Sequence, residues 1–250
     1  MKIKLFNKNK IIPILLKPSA YLSQYFDFWF LRKDVPTPEL VQHTQWENYL
    51  FDLAKKNNWR VLEVGSREVT GKSRAREELS DCEYIGFDYY PGENVDVVGD
   101  AHKLSTYFDE DNKFDLIFSS ACFEHFAMPW LVSQEISKLL KVGGMVFVET
   151  HFSNSSHERP WNFFQFSDMG LRVLFSKSMG FECLDSGMST PIVGRFSKNV
   201  LPKQLKFRPV KGLYCHSEYL GRKVEDVPDF SWGNVDLDEI VSNTKYPFKV

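Results

Sequence analysis

The sequence predicts a doubly wound α/β fold, a mostly parallel sheet with helices on both faces, and three observations predict it. Short apolar runs alternate with helix-compatible stretches from about residue 60 onward. Several of those runs end in an acid or a glycine, as strands do whose carboxyl ends open on a ligand crevice. The 250 residues, 43% hydrophobic and 26% charged, suffice for one domain with a sizeable core and at most a small appendage.

Thr37-Pro38-Glu39 reads as a helix start, with a capping hydroxyl, proline at the first helical position and an acid in the first turn. Leu40, Val41, Trp46, Leu50, Phe51 and Leu53 supply its apolar face up to Asn57-Asn58. Strands are expected near 60–65, 83–88, 95–98, 114–119 and 145–151, with helices near 72–80 and 129–141. Gly143-Gly144 reads as a turn feeding the fifth strand. Ser167 to Met179 reads as a helix closed by Gly180, and Phe181 to Asp185 as the strand after it. Residues 188–211 are basic and strandless in this reading, and an insertion of that length is usually functional or unstructured.

The chemistry begins at Val61-Leu62-Glu63-Val64-Gly65-Ser66-Arg67, an apolar strand with one acid that breaks at a glycine. A pyrophosphate would want Gly-x-Gly-x-x-Gly, and two residues after Gly65 stands Arg67. Glu63 would repel phosphate but attract an ammonium group such as that of S-adenosylmethionine. Asp88 ends the second strand 23 residues after Gly65, near the spacing of about 20 expected for a ribose-binding carboxylate. Asp100 ends the third and can accept from an adenine amino group while a following amide meets the ring. Each has a plain structural reading when taken alone: a salt-bridged strand residue for Glu63, helix caps for Asp88 and Asp100. The ordered set at successive strand ends points to a ligand.

Four segments in order, "EVGSR", "YIGFDYYPGENVDVVGDAHKL", "FDLIFSSACFEHF" and "LKVGGMVFVET", resemble the class I S-adenosylmethionine-dependent methyltransferases, particularly bacterial small-molecule members, over about residues 58–187. The resemblance implies a Rossmann-like sheet of seven strands, completed by one near 212–222. It implies S-adenosyl-L-methionine as cofactor, with Glu63, Gly65 and Ser66 near the methionine moiety and Asp88, with Tyr89 beside it, on the ribose. Asp100 and Ala101 would meet the adenine, and Ser119 would stand at the cofactor-facing end of the fourth strand. The chain departs from the pattern after Gly65, where many members have further glycines and this one has Ser66, Arg67 and Glu68.

Methyl transfer from a sulfonium is an in-line displacement that depends heavily on alignment. An alcohol acceptor must also lose a proton, for which a histidine or carboxylate is the usual helper. The catalytic candidates are His151, His157 and Glu158, in a polar and aromatic loop that resembles the "hE-x-PW-[DN]-FF" segment of bacterial relatives. A plainer reading lets Trp161, Phe163, Phe164 and Phe166 anchor the loop while His157 and Glu158 bond to local backbone. His125, in Phe123-Glu124-His125-Phe126, is expected to be structural. No His/Cys/Asp/Glu group shows metal-ligand spacing, so no metal is expected.

The formal net charge of -2 gives no pull toward nucleic acid or anionic membrane. The Asn/Asp-Pro-Pro-aromatic tetrad of DNA amino-methylating enzymes is also absent, Ser119-Ser120-Ala121-Cys122 standing in its place. Cys82, Cys122, Cys183 and Cys215 form no C-x-x-C pair, which suits a reduced, cytoplasmic setting. Five lysines precede the first acid, Asp27, yet the apolar run Ile11 to Leu16 is short for a secretory signal and contains Pro13. Residues 1–36, rich in aromatics, are expected to form a lid over the cofactor, with 37–250 the methyltransferase domain and no integral membrane segment. The expected activity is methylation of a small polar acceptor, an oxygen of a sugar, sugar-nucleotide or related metabolite of surface-polysaccharide biosynthesis, with a homodimer as the candidate assembly. An N-methyltransferase and a non-catalytic cofactor-binding partner protein are the alternatives.

Overall fold

The computed structural model describes residues 35–69, 71–109 and 111–242, so the expected lid lies, but for its last two residues, outside the described residues. The described residues divide into two compact units, one over 191–213 and one over 36–190 with 214–242. In the larger unit helix α1 (Trp46–Asn57) leads into strand β1 (Arg60–Val64), and helix α2 (Ala75–Glu78) precedes β2 (Glu83–Asp88) and β3 (Val97–Val98). Strand β4 (Phe114–Ser120), helix α3 (Pro129–Leu139), strand β5 (Leu140–His151), helix α4 (Asp168–Leu174) and strand β6 (Phe181–Pro191) follow. Strands β7 (Gly194–Arg195) and β8 (Pro209–Val210) belong to the smaller unit; β9 (Tyr214–Lys223) and helix α5 (Leu237–Val241) complete the larger one.

Seven strands form one sheet in the order β3-β2-β1-β4-β5-β9-β6. The pairs from β3 to β5 are parallel, and β9 runs antiparallel to β5. The order reverses direction between β1 and β4, the switch point at whose carboxyl ends a crevice opens. Alternation along the central strands builds two cores. Leu62, Val64, Ile117, Val146 and Val148 pack with Val132, Ile136 and Leu139 of α3 and Leu171 of α4. Their neighbours Val61, Leu116, Phe118 and Phe147 pack with Trp46, Leu50, Phe51 and Ala54 of α1. Residues of opposite parity thus face opposite layers, which gives helices on both faces of the sheet. Among the described residues no helix is long and apolar enough to cross a membrane.

Four local expectations are corrected. The helix expected from Thr37 begins only at Trp46, because the amides of Glu39, Leu40 and Val41 donate to the Asp185 carboxylate at 3.2, 2.7 and 3.2 Å. Those donors would otherwise head a helix. The helix expected over 167–179 stops at Leu174, where Phe175 leaves helical geometry; its carbonyl accepts from the Tyr219 hydroxyl at 2.8 Å. Gly143-Gly144 lies within β5 as an irregularity rather than before it: the pairing jumps from Phe114–Leu140 to Leu116–Met145, with Gly143 at φ 89°. Residues 188–211 are not strandless. β6 continues to Pro191, and β7 and β8 pair antiparallel, Gly194 with Val210 and Arg195 with Pro209. Two-residue strands carry too little alternation to be seen in a sequence.

Candidate active site

The crevice is built from the turns that follow β1 to β5. Gly65 leaves β1 at φ 89°, and its amide and that of Ser66 donate to the Phe87 carbonyl at 2.8 and 3.1 Å, which ties the turn to the end of β2. A Cβ on Gly65 would stand 2.5 Å from Cys122 Sγ, so β1 and the segment after β4 meet there with room only for hydrogen. Glu63 is buried beneath this turn, accepting from the Tyr84 hydroxyl and, at 3.3 Å, from Asn94 Nδ2. Burial pushes its carboxyl up to about 7. Asp88, at the end of β2, accepts from the Arg67 amide at 3.3 Å, Arg67 Nε at 3.3 Å and the Tyr90 amide at 3.0 Å. Asp100 caps the turn that begins at Ala101, accepting from the His102 amide at 3.0 Å, and its side chain remains 36% exposed.

Not every expected residue turns a side chain to this crevice. The Ser66 hydroxyl donates to the Asn94 carbonyl at 3.0 Å, and the Ser119 hydroxyl to the Val64 carbonyl at 2.7 Å. Both side chains are buried, so what they offer a ligand is backbone. Tyr89 is exposed, 6.1 Å from the Trp161 ring.

Beyond β4 and β5 lies a second cluster. Five of the six histidines stand in a row: His43 stacks on His216 at 3.9 Å between ring centroids, His216 lies 5.6 Å from His151, His151 5.3 Å from His157, and His157 5.0 Å from His125. The antiparallel register makes part of it, setting His151 opposite His216 and Glu149 opposite Glu218. Glu149 and Glu218 are both buried. Glu149 meets His43 Nδ1 at 2.8 Å and accepts from the Ser120 hydroxyl at 2.9 Å. That hydrogen bond raises the His43 pKa above its ordinary value. Burial, with Glu149 opposite, pushes the Glu218 carboxyl up to about 8. At the other end of the row Glu124 is buried, with His151 Nδ1 2.5 Å and His125 Nε2 and His157 Nε2 each 4.0 Å from Oε1. Glu158, expected to accompany His157, is exposed at φ 49°; Glu124 is the carboxylate at the imidazoles instead. The loop is tied down by its backbone, the Phe163 and Phe164 amides donating to the Glu124 carbonyl at 2.8 and 3.2 Å. Phe164 and Phe166 pack on the core, as the plainer reading has it, while Trp161 and Phe163 stay exposed.

Residues 60–148 match a family model described as a methyltransferase domain, and they run from β1 into β5 and include Glu63, Asp88 and Asp100. The chain carries a class I S-adenosylmethionine-dependent methyltransferase domain. No curated protein matches the sequence of this methyltransferase. Solved structures similar to it include a 1,6-didemethyltoxoflavin-N1-methyltransferase from Burkholderia thailandensis, 14% identical over 90% of this chain and 94% of that one, with a TM-score of 0.46. The YcgJ protein from Bacillus subtilis is 15% identical over 71% of this chain and 99% of that one, at 0.47. The trans-methyltransferase CalH is 17% identical over 70% of this chain and 55% of that one, at 0.49.

The enzyme's cofactor is S-adenosylmethionine, and the donor set suits it. Carboxylates stand at the end of β2 and just beyond β3, a further one lies under the β1 turn, and the amides of Gly65, Ser66 and Arg67 are already taken by the Phe87 carbonyl and the Asp88 carboxylate. An Asp carboxylate offers about four acceptor positions, and Asp88 uses three here, two of them on Arg67. Sequence reasoning missed His43, Glu149, His216 and Glu218 entirely. Glu149 lies in the segment "LKVGGMVFVET", where nothing marks its carboxylate for a site, and the other three sit in no motif.

Proposed function

We propose that the methyltransferase acts on an oxygen of a small polar acceptor, a sugar, sugar-nucleotide or related metabolite of surface-polysaccharide biosynthesis in the cytoplasm. The row of imidazoles at the carboxyl edge carries this reading, because an attacking hydroxyl must give up its proton. S-adenosylmethionine, when bound, supplies a methyl group on a positively charged sulfur. Asp88 holds the ribose with Tyr89 beside it, Asp100 and the backbone at Ala101 hold the adenine, and Gly65 with the Ser66 and Ser119 backbone shapes the methionine end. Glu63 sets the field there: a cation nearby draws its raised carboxyl back to the ionised form.

On the acceptor side His43 is the base. The buried Glu149 fixes its Nδ1, leaving Nε2 to take the hydroxyl proton, and the same carboxylate steadies the imidazolium. His151 and His157 over Glu124 place the acceptor oxygen. Tyr89 and Trp161, 54% and 50% exposed, offer apolar faces to a sugar ring. The test is transfer from isotopically labelled S-adenosylmethionine to a panel of sugars, sugar-nucleotides and amines, read by mass spectrometry. Label on a hydroxyl supports the reading, and label on amines alone refutes it.

A further inference from the structure

We propose that Glu124, His151 and His157 hold a divalent transition-metal ion at the carboxyl edge of β4 and β5. His157 Nδ1 lies 2.9 Å from the Ser155 carbonyl and His125 Nδ1 2.9 Å from the Trp161 carbonyl. A carbonyl only accepts, so in both rings Nδ1 carries the proton. Nε2 is then the nitrogen that each ring can offer a ligand, and both stand 4.0 Å from Glu124 Oε1. His151 Nδ1 reaches 2.5 Å from the same oxygen, and both atoms are buried with no other polar atom bonded to them. The Glu124 side chain is 0% exposed. A proton on His151 Nδ1 would meet Glu124 Oε1 alone, whereas a cation among these atoms meets the buried carboxylate and the imidazole nitrogens at once. One ion satisfies all of them together.

The surroundings have the form of a ligand set. The ligand atoms of Glu124, His151 and His157 all lie within 4.8 Å of one another. His157 is oriented through its other nitrogen by a backbone carbonyl, and the Thr150 hydroxyl donates to Glu124 Oε2 at 2.6 Å, the support that ligating groups ordinarily have. Two imidazoles and a carboxylate suit zinc, cobalt, nickel or iron(II) better than calcium or magnesium. Ligand atoms around such an ion sit about 3 Å apart, so His151 and Glu124 would open by under an ångström. Three protein ligands leave positions open, as in sites that handle a substrate, with His125 alongside. A second group, His151, Cys215 and His216, shares His151, has no carboxylate, and has His216 Nδ1 already at 3.0 Å from the Thr190 hydroxyl. The proposal runs against the expectation of no metal, which rests on spacing along the chain. That an open position takes an acceptor oxygen rests on the oxygen-methylation reading above; the binding of the ion does not.

The test is a titration of the untagged full chain with Co²⁺, followed by its visible ligand-field bands, beside calorimetry of S-adenosylhomocysteine. One Co²⁺ per chain is expected. Glu124→Gln and His157→Ala should each weaken it at least tenfold while cofactor-product affinity stays unchanged. His157 is 31% exposed, so His157→Ala keeps the test decisive if Glu124→Gln does not fold. Absence of the bands, or bands that survive His157→Ala with unchanged affinity, overturns the proposal. Bound Co²⁺ with no transfer to any hydroxyl would sink the oxygen reading and leave the ion site standing; transfer to a hydroxyl by a chain that binds no Co²⁺ would do the reverse.

Discussion

Gly65→Ala tests the geometry on which the cofactor crevice depends. The new Cβ meets two independent penalties. At φ 89° any residue with a side chain is strained, at a cost of about 1–3 kcal/mol. The methyl group would also stand 2.5 Å from Cys122 Sγ and 2.6 Å from Cys122 Cβ, far inside the contact distance of about 3.5–4.0 Å, and overpacking of that kind costs about 1–3 kcal/mol more. The expected loss is about 2–6 kcal/mol, against a total stability of about 5–15 kcal/mol. Urea denaturation of Gly65→Ala, Cys122→Gly and the double variant separates the terms. Both clashing atoms belong to the Cys122 side chain, so adding Cys122→Gly to Gly65→Ala should recover the packing part and leave the backbone part. A cost below about 0.5 kcal/mol for Gly65→Ala would refute the reasoning. So would a double-mutant cycle with no coupling.

Three further expectations concern charge and chemistry. Glu218 and Glu63, pushed up to about 8 and about 7, would titrate near about 4.3 when unfolded, so their contribution is fully present below that value and is lost as pH rises through 7 to 8. Tm should therefore fall between about pH 5 and pH 9, and Glu218→Gln should flatten the fall by a few kcal/mol at the alkaline end; parallel wild-type and variant curves would show that Glu218 is not held up by burial. Asp88→Ala should weaken calorimetric affinity for S-adenosylhomocysteine at least tenfold, and unchanged affinity would take the ribose away from Asp88. His43→Ala should lower turnover by about 10²- to 10⁴-fold with product affinity intact, and full turnover would move the base elsewhere in the row.

The strand ends that carry Gly65, Asp88 and Asp100 could be read along the chain because they are local. Each of Gly65, Asp88 and Asp100 follows its own apolar run, and a parallel sheet brings successive strand ends to one edge. The row of imidazoles is long-range. His43, His125, His151, His157 and His216 meet only through the crossovers and the antiparallel register of β9. Glu158 stands next to His157 in the sequence, whereas Glu124 reaches the imidazoles from the turn after β4. The misplaced start of α1 has the same origin. A good cap and proline at Thr37-Pro38 are overridden by Asp185, a residue about 145 positions away.

The position of β9 also bears on how the chain is made. β6 lies at the edge of the sheet and its neighbour there is β9, which comes later in the sequence. While a chain is being synthesised, β6 emerges before the strand that will connect it to the sheet, and it must wait with its backbone groups and the Phe181 and Met188 side chains uncovered. A nascent chain halted before Tyr214 would hold β1 to β5 but neither His216 nor the means to dock β6, and protease should cut it between 181 and 191. Insertion of β9 is thus one event that closes the sheet, shields an aggregation-prone edge and brings the last imidazole into the row.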